Sequence, residues 1–310
     1  MQVLVTGACG YLGQAVVHRL AAGGTAVVAL EHRARRSWPR PVLVRRGDVL
    51  HPADLADAVR GVDAVCHLAA DGTVRQDSAE AAERQRKVIT EGTAHLLAAL
   101  RAESRRRGRP LTLVHLSSSA VYGRPLERPL RPRDAGSPRS AYGRAKLAAE
   151  RAVTAAVEDG VLGATGLRLF NAAGRTPYGG GPSPVALIPR AVAAATGRSP
   201  ALTVNGDGSA MRDFVHVRDV AAAVAAALVR TPDGEHRVLN LGATPASVRD
   251  VLAEVGRATG RPVPAVHRPA PEQDTPYLVA DTADTRAALG WSPLSSALSR
   301  LVADQLADLP

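Results

Sequence analysis

The segment Thr6-Gly7-Ala8-Cys9-Gly10-Tyr11-Leu12-Gly13 constrains this chain more than any other stretch. It follows the apolar run Gln2–Thr6 and opens an apolar-periodic stretch at Tyr11–Ala22, so it reads as the turn from a strand into a helix. Glycines at that spacing let the backbone turn tightly and approach a pyrophosphate, whose charge a helix N-terminus favours. The alternation continues along the chain. Candidate strands lie at Ala26–Leu30, Val42–Val44, Ala64–Leu68, Leu111–Leu116 and Ala164–Leu169, and candidate helices at Pro52–Val59, Ala79–Glu103 and Ala141–Glu158. Short apolar runs separated by long 3.6-period stretches predict βαβ units, hence a doubly wound parallel sheet of the Rossmann type in an α/β protein.

The texture changes near residue 170. Residues 174–184 are rich in Gly and Pro, and residues 262–276 hold five further prolines. Proline cannot donate to a central ladder, so these segments are expected in a smaller carboxyl-terminal cap that binds substrate. Phe214–Val229 reads as one more strand and helix returning to the first unit. The expected division is 1–170 with 211–242 for the dinucleotide-binding unit, and 171–210 with 243–310 for the cap.

Charge and composition exclude several classes. The net charge is +10, but 37 of the 39 basic residues are scattered arginines, and aromatics are only 3%. Few rings remain for stacking on bases, so no nucleic-acid partner is expected. Cysteine is confined to Cys9 and Cys66, which fits a reducing compartment rather than a disulfide scaffold. Met1 leads into Val3-Leu4-Val5 without a basic start, and the alanine-rich run Val220–Val229 is too short to span a bilayer. A cytoplasmic location without membrane association is the expectation. No Cys/His spacing suggests a metal site, and no Gly-x-Ser-x-Gly elbow surrounds the serines at 117–119.

Beyond the loop, three strand ends fit the same cofactor. Glu31 ends the second strand eighteen residues after Gly13, where a carboxylate can accept from ribose hydroxyls and repel a 2′-phosphate, favouring NAD over NADP. Arg33, Arg35 and Arg36 stand nearby and pull in the other direction. Asp48-Val49 follows the third strand, where a carboxylate can reach an adenine amino group, and Leu68-Ala69-Ala70 supplies small residues against which a dinucleotide can lie. His67 reads as a packed strand-end histidine.

Lysine occurs twice, at Lys87 and Lys146, in a chain that otherwise uses Arg for positive charge. Lys146 stands four residues after Tyr142, so both occupy one side of a helix. An ammonium beside a phenol is expected to lower the phenol's pKa and make phenolate accessible, and its compact head suits a nicotinamide ribose. Ser117-Ser118-Ser119 closes the fifth strand at the carboxyl edge, where open α/β sheets bind ligands.

Together these residues resemble the extended short-chain dehydrogenase/reductases, specifically the NAD-dependent epimerase/dehydratase group. The resemblance adds Val121-Tyr122-Gly123, Leu167-Arg168-Leu169-Phe170-Asn171, Gly206-Asp207-Gly208, Arg212-Asp213-Phe214-Val215-His216-Val217 and Leu289-Gly290-Trp291, and so runs through nearly the whole chain. It implies a catalytic set of Ser118, Tyr142 and Lys146, with Tyr142 as the proton acceptor. It implies NAD at Gly7, Gly10, Tyr11, Leu12, Gly13, Glu31, Asp48, Val49, Leu68, Ala69, Ala70, Tyr142 and Lys146. Substrate contacts fall on Ser118, Ser119, Asn171 and Arg212, with Arg268 as the nearest late arginine. Related dehydratases carry Asp-Glu where this chain has Ser119-Ala120, and neither of those can do carboxylate chemistry. What remains is 4-epimerisation of a nucleotide hexose, a UDP-hexose favoured, through a 4-keto intermediate; the alternative is NAD(P)H-dependent reduction of a nucleotide 4-keto-deoxysugar. A homodimer through the helices at 79–103 and 141–158 is implied as well. The family's pattern is departed from at three places: Ala186 and Ile89 replace common asparagines, and Pro271 takes the usual spacing of the late arginine before Asp274.

Overall fold

A computed structural model describes residues 1–70, 78–123, 126–176, 178, 181–271 and 275–307. The first half alternates as the spacing predicts: β1 (Gln2–Thr6), α1 (Tyr11–Ala22), β2 (Ala26–Glu31), β3 (Leu43–Arg46), α2 (Pro52–Val59), β4 (Ala64–His67), α3 (Ala79–Arg107), β5 (Leu111–Ser118), α4 (Ala141–Glu158) and β6 (Leu162–Leu169). The second half holds β7 (Asn171–Ala173), α5 (Leu187–Ala195), β8 (Leu202–Asn205), β9 (Met211–His216), α6 (Val217–Arg230), β10 (His236–Leu241), β11 (Thr244–Ser247), α7 (Val248–Thr259), β12 (Ala265–Arg268), β13 (Tyr277–Leu278), α8 (Ala283–Leu289) and α9 (Leu298–Leu306).

Seven parallel strands form the central sheet in the order β10-β6-β5-β4-β1-β2-β3. Both faces are covered, which is why β1 and β4 read as nearly unbroken apolar runs. One face packs Val16, Val17 and Leu20 of α1 with Val220, Val224 and Leu228 of α6. The other packs Leu55 of α2, Leu96 and Leu100 of α3, and Val153 and Val157 of α4. Helix α3 runs four residues past its expected end at Glu103. It stops at Gly108, a left-handed C-cap (φ 66°), with Arg105, Arg106 and Arg107 complementing the dipole in its last turn.

The segment after Phe214 divides its allegiance. Helix α6 packs on the central sheet, but β9 does not join it. The edge beyond β6 is taken by β10, six residues in parallel register, and β9 instead pairs with β7, β11 and β13 in a second sheet. A two-stranded parallel pair, β8 with β12, completes the smaller part. Its separate core joins Ile188, Val192, Val204, Phe214, Val251, Val255 and Leu301. Helix α7 starts there with a reciprocal capping box between Ser247 and Asp250. Asp274, used above as a spacing marker, lies outside the described residues.

Candidate active site

The carboxyl ends of β1, β4, β5 and β6 open into a cavity of about 1230 Å³ that continues over β7, the start of α5, β8, β9 and β12. The glycine loop forms its floor. Gly7 has φ 67°, and a Cβ there would lie 2.7 Å from the Ala69 nitrogen; at Gly13 a Cβ would overlap the Gly7 carbonyl oxygen. Both must be glycine for the loop to fold back against β4 and lead into α1. Gly10, Leu12 and Tyr11 also line the cavity, and the Tyr11 hydroxyl donates to the Gly174 carbonyl at 2.6 Å.

Asp48 and Val49 line the same end. The Asp48 carboxylate accepts from the Leu50 amide at 3.0 Å and faces His32 Nε2 at 3.2 Å. Glu31 is placed differently from its neighbours. It is buried and does not line the cavity; its Oε1 accepts from the Arg36 amide at 3.0 Å and from the Trp38 indole at 2.9 Å. His32, Arg33 and Ala34 form the wall there instead. Leu68, Ala69 and Ala70 line the next section. His67 behind them is the packed histidine expected: its ring nitrogens meet Thr6 Oγ1 at 2.8 Å and Thr93 Oγ1 at 3.2 Å, and burial, with Lys146 nearby, lowers its pKa to about 3.

Ser118, Tyr142 and Lys146 meet at the centre of the cavity. Helix α4 starts at the Ser140 N-cap, whose hydroxyl accepts from the Gly143 amide at 3.0 Å, and this sets Tyr142 and Lys146 in its first two turns. The Ser118 hydroxyl accepts from the Ala120 amide at 3.2 Å and stands close enough to the Tyr142 hydroxyl to lower its pKa. Lys146 is buried, donates to the Leu116 carbonyl at 2.8 Å, and stands 5.8 Å from the Tyr142 ring centroid. The expected lowering of the phenol is reversed here. Burial pushes the Tyr142 hydroxyl up and outweighs the Ser118 bond that lowers it, and the ammonium, turned to Leu116, adds no resolved pull. Burial also lowers Lys146 to about 8, against the raising effect of Glu150.

The far end is built from side chains. Asn171 donates to the Asp213 carbonyl at 3.0 Å, and Arg212 Nη1 to the Thr275 carbonyl at 2.7 Å. Both line the cavity, as does the exposed Arg268 on β12. Ser119 does not: it is buried in the turn Ser119–Val121. Ala186 sits at the N-cap of α5 without a side-chain cap, beside lining residues Leu187, Ile188 and Pro189. Ile89 is buried against Tyr142, Ala145 and Ala149. Sequence reasoning missed many of the lining residues, Arg84, Arg190 and Ser117 among them. Arg84 on α3 and Arg190 on α5 add positive charge, and nothing distinguishes them from the other arginines in the sequence. Ser117 lines the cavity with a buried hydroxyl that has no partner among the described residues. The serine run was the signal for it.

A cavity floored by a glycine turn, with a Tyr–Lys pair at its centre and arginines at its far end, defines a dinucleotide-dependent α/β protein acting on a second anionic ligand. The profile of the NAD dependent epimerase/dehydratase family matches residues 3–242, and the chain belongs to that family. It is 34% identical over 308 residues to the UDP-glucose 4-epimerase of Streptomyces lividans, covering 94% of this chain and 91% of that protein. The UDP-glucose 4-epimerase of Azospirillum brasilense is also 34% identical, over 98% of this chain and 91% of its own length. Among solved structures, UDP-glucose 4-epimerase from Brucella ovis in complex with NAD superposes with a TM-score of 0.87 at 33% identity, over 97% and 96% of the two chains. MoeE5 in complex with UDP-glucuronic acid and NAD gives 0.84 at 31% identity, over 99% and 98%.

Proposed function

We propose that this chain is an NAD-dependent nucleotide-sugar 4-epimerase acting on a UDP-hexose. The observation that carries the reading is the placement of Tyr142, Ser118 and Lys146 midway along one cavity, between a pyrophosphate turn and an arginine-lined end. The residues fit NAD. Gly7, Gly10 and Gly13 admit a pyrophosphate, Asp48 offers an acceptor at the adenine end, and the orphaned Ser117 hydroxyl and the Lys146 ammonium await polar partners at the other. When bound, NAD supplies reversible hydride acceptance, which lets sugar C4 pass through a ketone and return with the opposite configuration.

The protein's share is proton handling and orientation. Tyr142 Oη receives the 4-hydroxyl proton and later returns it. Ser118 holds the reacting oxygen through the same hydrogen-bond network. The Lys146 ammonium, 5.8 Å from the Tyr142 ring centroid, holds the nicotinamide ribose. Asn171, Arg212 and Arg268 hold the nucleotide diphosphate, for which a guanidinium fork is suited. In this reading residues 1–170 with α6 and β10 serve the dinucleotide, and 171–216, which carries Asn171 and Arg212 and moves β9 out of the expected first unit, serves the nucleotide sugar together with 243–310. A cytoplasmic location and a homodimer through α3 and α4 belong to the same reading; no helix among the described residues is long and apolar enough to cross a membrane.

The test uses the purified protein with UDP-galactose and no added cofactor. UDP-glucose should accumulate to a fixed equilibrium ratio with no net change in NADH absorbance. Absence of conversion, together with stoichiometric NADH consumption on a nucleotide 4-keto sugar, would make the chain a reductase. Sedimentation as a monomer at micromolar concentration would remove the dimer.

A further inference from the structure

Behind the tyrosine and lysine, α4 carries polar groups that the reaction above leaves unused. Tyr142, Lys146, Glu150 and Thr154 recur every four residues and so form one stripe along the helix. The stripe is turned inward: Lys146 is 7% exposed and Glu150 4%, and Arg168 on β6 opposite is 6% exposed. Three charges in a helix–sheet interface are expensive unless they are paired and hydrogen-bonded.

Two of them are tightly paired. Arg168 donates from Nε and Nη2 to the two Glu150 oxygens at 2.9 and 2.7 Å, and from Nη1 to the Pro132 carbonyl at 2.9 Å. Its guanidinium lies 4.8 Å from the Tyr122 ring centroid, and the Tyr122 hydroxyl donates to Asn240 Oδ1 at 2.6 Å. Glu150 is therefore held by a guanidinium that is itself fixed by other contacts. The third charge, Lys146, has a carbonyl partner and no ion pair among the described residues.

Around Lys146 stand Tyr142 and Glu150 on its own helix, His67 on β4 and His115 on β5; Arg168 on β6 faces Glu150, His236 on β10 faces His115, and α3 contributes the apolar Ile89. His115 Nε2 meets His236 Nε2 at 3.2 Å, and His236 Nδ1 meets Thr154 Oγ1 at 2.8 Å. Burial pushes all three histidines down, so they are neutral at neutral pH. Glu150 is the anion that acts on Lys146, and it opposes the burial that would discharge the amine.

We infer that Glu150, held by the Arg168 fork, is a positioning residue for Lys146: it keeps the ammonium charged one turn behind the tyrosine. The consequence for turnover rests on the epimerase reading; the coupling itself does not.

The two-lysine sequence makes the test direct. Protein made with lysine carrying 13C at Cε gives two lysine signals, assigned with Lys87→Arg, and each is titrated with pH. The wild-type Lys146 signal should titrate near about 8. In Glu150→Gln it should titrate at least ~1 pH unit lower, a tenfold change in the dissociation constant, while exposed Lys87 stays in place. Glu150→Gln combined with Arg168→Gln removes both buried charges, so it separates loss of the anion from an orphaned guanidinium and serves if the single variant does not fold. The Lys146 midpoint should fall there too. An unchanged midpoint in either folded variant overturns the inference and leaves the pair as a structural staple. In the active enzyme the alkaline limb of the turnover profile should move down with the midpoint. If the midpoint moves while wild-type protein shows no epimerisation, the functional reading fails and the coupling stands.

Discussion

The two ends of the cavity are built by different means. At the glycine-loop end the surface is largely backbone: Gly7, Gly10, Gly13 and the small residues Ala69 and Ala70, packed so closely that an added methyl meets main-chain atoms. At the far end it is mostly side chain: Asn171, Arg190, Arg212 and Arg268, on elements outside the central sheet. A backbone site admits one kind of ligand and tolerates almost no substitution. A side-chain site can be retuned residue by residue, which is why the family's asparagine can be Ala186 here without any change of fold.

That contrast can be broken in order of severity. Gly13→Ala should have the largest effect, because its Cβ overlaps a backbone oxygen that cannot step aside. A destabilisation at the top of the ~1–3 kcal/mol overpacking range, or beyond it, is expected. The measurement is loss of copurified NAD together with a lowered melting temperature. Arg212→Ala should spare NAD retention and melting but raise KM for the nucleotide sugar. Losing a charge-assisted bond of ~1.5–3 kcal/mol corresponds to roughly 10- to 150-fold, read by initial-rate kinetics. If Arg212→Ala expelled NAD instead, the two ends would not be separable.

Two smaller effects sharpen the same picture. Asp63, on the sheet side and far from either ligand, would be raised by burial. Bonds from the Gln2 amide, Arg107 and Arg109 outweigh this and hold it at about 2. A carboxyl depressed in the folded state stabilises above its unfolded value, and that contribution is lost as pH falls through about 2. Asp63→Asn should therefore cost ~1 kcal/mol at neutral pH and nothing near the acid limit, by denaturant titration at both. Arg268→Ala should change least. The residue is exposed on a short strand, and a screened contact of ~1 kcal/mol or less raises KM about fivefold at most.

How much could be read from residues alone follows the same divide. The glycine loop, the parallel βαβ units of the first half and the Tyr142–Lys146 pair were legible because each is set by local spacing: strand before, helix after, or four residues on one helix. The small sheets were not. Strands such as β8 and β12 have four residues each: β8 alternates apolar and polar residues too briefly to stand out, and β12 ends in His267 and Arg268 and so lacks an apolar run. Glu31 stands at the expected strand end, and its Oε1 also accepts from the Trp38 indole and the Arg36 amide, tertiary contacts that no spacing reveals. Tyr142 and Lys146 share α4 as the spacing predicts, but the sign of the phenol's shift depends on how deeply the helix buries it and on where the lysine points.

The most direct test of the account is Tyr142→Phe, which removes the ionisable hydroxyl and keeps the ring that packs against the cluster of Ile89, Ala145 and Ala149. The variant should fold, retain NAD and melt with the wild type, while UDP-galactose turnover falls by ~10²–10⁴, the contribution of a positioned general base. Full turnover in a folded, NAD-retaining Tyr142→Phe protein would contradict it.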